Sequence, residues 1–459
     1  MAENEATLIN HPAVMPDAGQ GARLRGLTQQ ELNEVIASHE AYVDGRPNGA
    51  RASLKLCDLA HLNLEGRNMS GADFTGARLF GARMVATKLV GAVLYAADLR
   101  MTNLDGADMQ KADLRGSCLR GAQMNKALLM NADIRDGTLA TRASDGELQT
   151  FVHQDAVGAE LTCAVLRGAD LSLAKISNGF ILQTDMTDAV MRGCRLNNAN
   201  LTKAVLVGAD LRDAVLDHAN LTGAQMSGAI LSGANLDGAN LSSAILLGAI
   251  LENVDFSHTN ISDAVTAQGV AGGVTGLAQI LSQHAAWVES GGKNGRRANL
   301  ASIDMTDMKM GPVNLSAAVL HAATLRGIDL EQAVLAMADF ALCDLRFSKL
   351  AKSDLRGSSL ERANLANADL RGANLGSMPI RGAACQMWPT NMHHVKLEKA
   401  CLAGCDLTQA RLTEAKLMNA DLSGANLANS DLSGADLTDA DLRGCNLTGA
   451  RLKDVKGLS

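Results

Sequence analysis

From Ala420 to Leu452 the chain reads "ADLSGANLANSDLSGADLTDADLRGCNLTGARL", with an apolar residue of one kind on every fifth position. A helix turns about 100° per residue, so a five-residue step displaces successive leucines by about 140° around the axis. A strand alternates faces, so an odd step throws successive leucines to opposite sides. The period therefore requires one bend per five residues, each leucine pointing inward from a new wall. Taking Leu, Met, Ile or Phe as the centre of each five, the phase holds over four stretches. These run from Leu54 to Leu139, Leu161 to Ile261, Leu300 to Ile380 and Leu397 to Leu452, sixty-eight centres in all.

Two positions before each centre stands a small residue, usually Ala, as at Ala72, Ala77, Ala82, Ala209, Ala214, Ala368 and Ala435. The position just before the centre favours Asp, Asn or Arg, and Gly often stands two after it, as at Gly76, Gly233 and Gly424. One large and one small inward residue per wall fill a narrow core. Polar residues and glycine suit the corners, where positive φ is cheap for glycine. The units "ADLSG", "ANLAN", "ADLTD" and "ADLRG" give the chain its resemblance to the pentapeptide repeat family, whose pattern is A-(D/N)-L-x-x. The resemblance implies an all-β solenoid, a right-handed quadrilateral β-helix with four pentapeptides per coil and about 17 coils in all.

The interruptions organise the chain. Residues 28–54 read "TQQELNEVIASHEAYVDGRPNGARASL" and residues 275–300 read "TGLAQILSQHAAWVESGGKNGRRANL". They align as L-x2-[VI]-[IL]-x2-H-x2-[YW]-V-[DE], a Gly-containing loop, then N-G-x-R-A-x-L, so the chain is internally duplicated. Leu32, Val35, Ile36, His39, Tyr42 and Val43 fall at helical spacing on one face, as do Leu277, Ile280, Leu281, His284, Trp287 and Val288. Thr28 and Glu31 form a capping-box start. Each helix is expected to cover the open end of a β-helix, as terminal repeats must. The first coil after each helix carries bulky residues in the small slot: Leu62 and Arg67, then Ile303, Met308 and Val313. The expected layout has a disordered tail over 1–26 and a capping helix plus first β-helix over 27–265, with a loop insertion at 140–160. A Gly-rich linker over 266–276 leads to the second capping helix and β-helix over 277–459, with a loop insertion at 381–396. Lys453 and Lys456 discourage edge pairing at the C-terminal end, or that end is the face of a homodimer.

Composition sharpens this reading. Hydrophobic residues make up 47% of the chain but aromatic ones only 2%, as expected if a tube of Leu and Ala has no room for rings. Cys57, Cys194, Cys343, Cys405 and Cys445 occupy the small inward slot and act as small hydrophobes. Cys401 falls outward and Cys405 inward, so the two do not share a metal. Cys385, His393 and His394 cluster in an interruption but lack the four-ligand spacing of a structural zinc site. No apolar run reaches the length of a membrane span, and the acidic N-terminus "MAENEATLINHPAVMPDAGQ" is unlike a signal peptide. These features point to a cytoplasmic protein, without membrane insertion.

The sequence holds no phosphate loop, no H-E-x-x-H and no nucleophile triad, so it reads as no enzyme and calls for no cofactor or metal. His39 and His284 read as packed helix histidines, and Arg51 and Arg297 as closing the helix-to-coil corner. The expected role is a scaffold, a protein–protein interaction module whose flat walls bind an unidentified protein partner. Candidate contacts are outward aromatics: Phe80 and Tyr95, one position after their centres, Phe180 and Phe347, off the inward slots, and Trp388 in an interruption. The interruption with Phe151 and His153 comes next.

Some proteins of the resembled family mimic DNA and bind type II topoisomerases such as gyrase, which requires an acidic face. The net charge is −7. Residues 51–139 hold 12 Lys/Arg against 9 Asp/Glu, whereas 204–263 is acidic through Asp210, Asp213, Asp217, Asp237, Glu252 and Asp255. That strip is the alternative site. A net negative chain with few aromatics argues against nucleic acid as a partner, although Arg78, Arg83, Arg100, Arg115, Arg120 and Arg135 form a potential basic stripe.

Overall fold

The computed structural model describes residues 13–14, 24–142, 148–151, 159–266, 268–269, 273–379 and 387–458. Two compact units divide the chain, Met1–Ile245 with Leu251–Ala264, and Leu246–Ile250 with Val265–Ser459. Each winds as a β-helix. In the first, parallel bridges join Asp98 to Cys118, Asn103 to Gln123, Asp108 to Leu128 and Asp113 to Asp133. In the second they join Asp339 to Ser359, Asp344 to Asn364, Lys349 to Asp369 and Asp354 to Asn374. The partner is 20 positions on, so four pentapeptides make a coil and each takes one wall.

The repeated residues explain themselves at each wall. The Asn103 N–H donates to the Ala82 carbonyl at 3.0 Å and the Leu104 N–H to the Gln123 carbonyl at 2.7 Å, a ladder that satisfies the backbone between coils. Leu79, Leu99 and Leu119 are fully buried, with Ala77 and Ala97 beside them. The chain then turns: the Ala72 N–H donates to the Met69 carbonyl at 3.0 Å, and Gly71 between them has φ of +70°. Asp or Asn before the centre caps the turn. Asp73 Oδ1 accepts the Thr75 N–H at 3.0 Å and its hydroxyl at 2.6 Å, and Asn103 Oδ1 accepts the Asp105 N–H at 3.1 Å. Some polar residues in the small slot place their hydroxyl on a carbonyl, as Thr87 does with Leu64 at 2.8 Å, whereas the buried hydroxyls of Ser348 and Ser358 meet none.

The tube does take rings. Phe74 and Phe340 fill centre slots at 0% and 1% exposure, because the small residues around them leave the required volume. Other expectations shift at the interruptions. Leu139 leaves the winding and begins an antiparallel pair, Leu139–Arg142 with Leu148–Phe151, to which Ala13–Val14 adds in parallel. Coiling resumes where Glu160 bridges Cys118. In the second unit Met378–Pro379 pairs with Met387–Trp388, and coiling resumes at Asn391 opposite Ser359. Met392, fully buried, is thus a coil centre inside the span read as a loop.

Helix α1, Gln29–Val43, starts at the Thr28–Glu31 capping box and buries Leu32, Ile36 and His39. Tyr42 and Val43, expected on that face, are exposed. The chain doubles back under the last turn, with the Arg46 N–H donating to the Ala41 carbonyl, so the buried stripe ends at His39. Arg25–Gly26, read as part of the tail, pairs in parallel with Cys57–Asp58. Helix α2, Gly273–Glu289, begins inside the span read as linker, and Gln268–Gly269 pairs with Ile303–Asp304. Residues 1–12 and 15–23 of the tail lie outside the described residues.

Candidate partner-binding surface

The outward aromatics separate into two groups. Phe80 points off the wall but is half-buried. Its ring lies 5.8 Å from the Arg78 guanidinium and 5.7 Å from that of Arg100, with His61 edge-on at 5.6 Å. Arg78 is two residues back on the same coil, while His61 and Arg100 come from the coils either side, so Phe80 is a packed rung of a column. Tyr95 is also half-buried. Its hydroxyl donates to the Thr138 carbonyl at 2.8 Å, and Arg115 covers its ring at 5.3 Å. Burial raises its pKa above the ordinary phenol value. Tyr95 pins the chain where it leaves the first winding.

Phe180, Phe347 and Trp388 are 51%, 48% and 51% exposed. Phe180 sits on a bridge between Glu160 and Asn200. Phe347 holds φ of +60°, and Arg326 covers one face of its ring at 5.4 Å. Trp388 heads an apolar patch with Met337, Met378 and Met387, which the spacing of centres did not reveal. Its room comes from Gly357, where an added Cβ would fall 2.7 Å from Met337 Sδ and 3.2 Å from the Trp388 ring. The same device recurs in the first unit: Met101, exposed at a turn with φ of +57°, lies over Gly121 one coil on. The available signal was a Met at the turn position with Gly 20 residues later. Phe151 and His153 lie where no side chain is described.

The acidic candidates spread over two adjacent walls: Asp210, Asp213 and Glu252 on one, Asp217, Asp237 and Asp255 on the next. Asp210 does not present charge to solvent. It is 3% exposed and held by Arg192 Nε at 2.6 Å and Arg212 Nη2 at 2.6 Å. Burial alone would raise its pKa, but the two arginines outweigh that and hold the carboxyl well below the usual carboxylate range. Asp237 meets His258 Nδ1 at 3.0 Å, and Asp255 accepts the Ser257 N–H at 2.8 Å. Asp213 is exposed and Asp217 half-buried.

The arginine stripe is likewise matched by carboxylates. Arg78 meets Asp58, Arg83 Glu65, Arg100 Asp98, Arg115 Asp113 and Arg135 Asp133, each within 3.0 Å, and Arg120 lies 3.8 Å from Glu160. Burial pushes the thiols of Cys194 and Cys405 up to about 12, which keeps them protonated and inert. Cys385 lies outside the described residues, and His393 and His394 stack edge-on at 4.0 Å, with His393 Nδ1 engaged by the Thr413 hydroxyl at 2.6 Å. Among the described residues no group of three His, Cys, Asp or Glu is placed to hold a metal ion, and no helix is long and apolar enough to cross a membrane.

A family model described as pentapeptide repeats matches eight copies in this sequence, at residues 57–94, 87–125, 194–233, 234–264, 314–346, 338–376, 390–422 and 415–454. Together they span more than half of the chain. The chain belongs to the pentapeptide repeat family. Proteins of this family fold as right-handed β-helices and are generally structural or interaction proteins and not enzymes. Among solved structures, the chain is similar to HetL, a pentapeptide repeat protein involved in heterocyst differentiation regulation from the cyanobacterium Nostoc sp. strain PCC 7120. The identity is 24% over 72% of this chain and 89% of that one, with a TM-score of 0.23. It is also similar to QnrB1, a plasmid-mediated fluoroquinolone resistance protein, at 16% identity over 47% and 91%, TM-score 0.27. A third is Rfr23 from the cyanobacterium Cyanothece 51142, at 21% over 33% and 90%, TM-score 0.15. No curated protein sequence matches the chain.

Proposed function

We propose that this pentapeptide repeat protein is a non-enzymatic, cytoplasmic scaffold that binds a protein partner through aromatic side chains held on rigid walls. The carrying observation is that Phe180 and Phe347 on the walls and Trp388 in the interruption stay about half exposed, whereas Phe80 and Tyr95 are packed against their neighbours. Each would bury further apolar area on contact, worth about 25 cal/mol per Å². In this reading the molecule has two β-helical segments, each closed at its start by a helix, α1 or α2. The backbone edge of the first coil supports it: Gln29 Nε2 donates to the Asn63 carbonyl at 2.9 Å and its Oε1 accepts the Asn63 N–H at 2.8 Å, as a neighbouring strand would. The half-buried Leu442 and Leu447 and the exposed Leu452 support a homodimer face at the C-terminal coil.

The topoisomerase reading calls for an acidic strip, and Asp210 adds no free charge to it. Affinity capture from host lysate with nuclease present tests both readings. Scaffolding predicts a reproducible partner that is lost when Phe180, Phe347 and Trp388 are changed to Ser, with the β-helix intact. A partner that is instead lost on charge reversal at Asp213, Asp217 and Asp237 refutes that choice of surface and favours DNA mimicry.

A further inference from the structure

Both units fasten their first helix in the same way, through one titratable group. His39 is 0% exposed, and its Nδ1 accepts the Ala52 N–H at 3.0 Å. His284 is 0% exposed, and its Nδ1 accepts the Ala298 N–H at 3.0 Å. An imidazole that accepts at Nδ1 carries its single proton on Nε2. That Nε2 is buried without a hydrogen-bond partner in both copies; the backbone at Ser70 and Ser316 comes near each ring without meeting hydrogen-bond geometry. Each ring also stacks on the aromatic three residues on, Tyr42 at 6.1 Å and Trp287 at 5.7 Å.

We propose that His39 and His284 are acid-sensitive fasteners, whose protonation releases α1 and α2 from the coils they lie on. A second proton at Nδ1 turns the acceptor into a donor facing the backbone N–H, so the bond is lost and a charge is left buried. The charged surroundings add to this. Arg51, which bonds the Gly71 carbonyl at 2.6 Å, opposes a charged His39; Glu40 favours it but is engaged by Arg67 at 2.7 Å. Arg297, which bonds the Ala317 carbonyl, opposes a charged His284. Burial first, and these arginines with it, hold both histidines below the ordinary value of 6.5. The sign follows from that direction. The fastening is at full strength above the unfolded value and weakens as pH falls through it, because the released ring takes up a proton that the seated ring refuses. Release would uncover Leu32 and Ile36 in one unit and Leu277 in the other.

This inference rests on the end-covering role proposed for the helices, and the test keeps the two apart. Hydrogen exchange of the full chain, corrected for intrinsic rates, is followed from about pH 8 to about pH 4.5 on peptides carrying Ala52 and Ala298. Coils between Leu89 and Ile134 serve as the fold control. In the native chain, protection at both amides falls below about pH 6.5 while the control coils stay closed. In His39→Asn with His284→Asn, the side-chain oxygen takes the place of Nδ1 without titrating, and the loss moves down by about one pH unit or more. An unchanged midpoint in that variant, or native protection that persists to about pH 4.5, overturns the switch. In His39→Leu with His284→Leu at about pH 8 the acceptor is gone at every pH, and protection at both amides is expected to be low. If it stays at the native level there, the helices remain seated without the histidines, so the fastening fails while the covering role stands.

Discussion

Tyr95 is either a partner contact or a pin for the interruption, and its hydroxyl separates the two. Tyr95→Phe removes one atom, the donor to the Thr138 carbonyl at 2.8 Å. A single neutral hydrogen bond of this kind contributes about 0.5–1.5 kcal/mol. Tyr95→Ser removes the ring as well. A half-buried ring covers on the order of 100 Å², worth up to about 2.5 kcal/mol at 25 cal/mol per Å². The guanidinium of Arg115 above it adds about 0.5–1 kcal/mol. The expected order is native, then Phe lower by about 1 kcal/mol, then Ser lower by about 3–5 kcal/mol. A solenoid does not melt as a single two-state unit, so the assay is exchange of the segment Asp136–Ala140 against that of a distant coil. About 1 kcal/mol is a roughly fivefold change in its opening equilibrium. If Phe and Ser exchange like native while Ser abolishes partner capture, Tyr95 belongs to the interface and the reasoning from its packing is wrong.

Three further outcomes follow from the turns and the acid pairs. Gly71→Ala, where an added Cβ meets nothing within 4 Å, should cost about 1 kcal/mol from φ of +70° alone, and Ala86→Gly, at +53° and exposed, should stabilise by a similar or smaller amount; denaturant midpoints of the two variants should move in opposite directions. Gly121→Ala should cost more than Gly71→Ala because its Cβ would lie 2.6 Å from Met101 Sδ, and adding Met101→Ala should remove the excess, which a double-mutant cycle measures. Asp210, with its pKa held below 3.8, contributes stability that is complete above that value and lost as pH falls through the lower folded one. Acid unfolding of Asp210→Asn should therefore lack that part of the native pH dependence, and parallel curves would refute the pairing.

The five-residue period was sufficient to read the winding, the buried leucines and the small slot, because each is fixed by a local repeat that any coil must satisfy. The duplicated histidine was also legible as a helix-face residue, since its spacing recurs in both halves, whereas the duplicated arginine bonds a turn carbonyl of the next coil, Gly71 or Ala317. What the sequence could not give was contact between residues one coil apart. Phe80 and Phe180 both lie off the inward slots, yet Arg100 and His61 are brought onto one from the adjacent coils while the other is half exposed. Asp210 looked like a free acid until Arg192, eighteen positions earlier in the chain, was brought onto it by the 20-residue coil. The same holds for the Trp388 patch, which depends on a bare Gly357 beneath Met337 from the preceding coil and Trp388 from the interruption. Local pattern determined which way each side chain points; only the stacking of coils decided which of the outward ones were covered, because their neighbours come from the coils above and below.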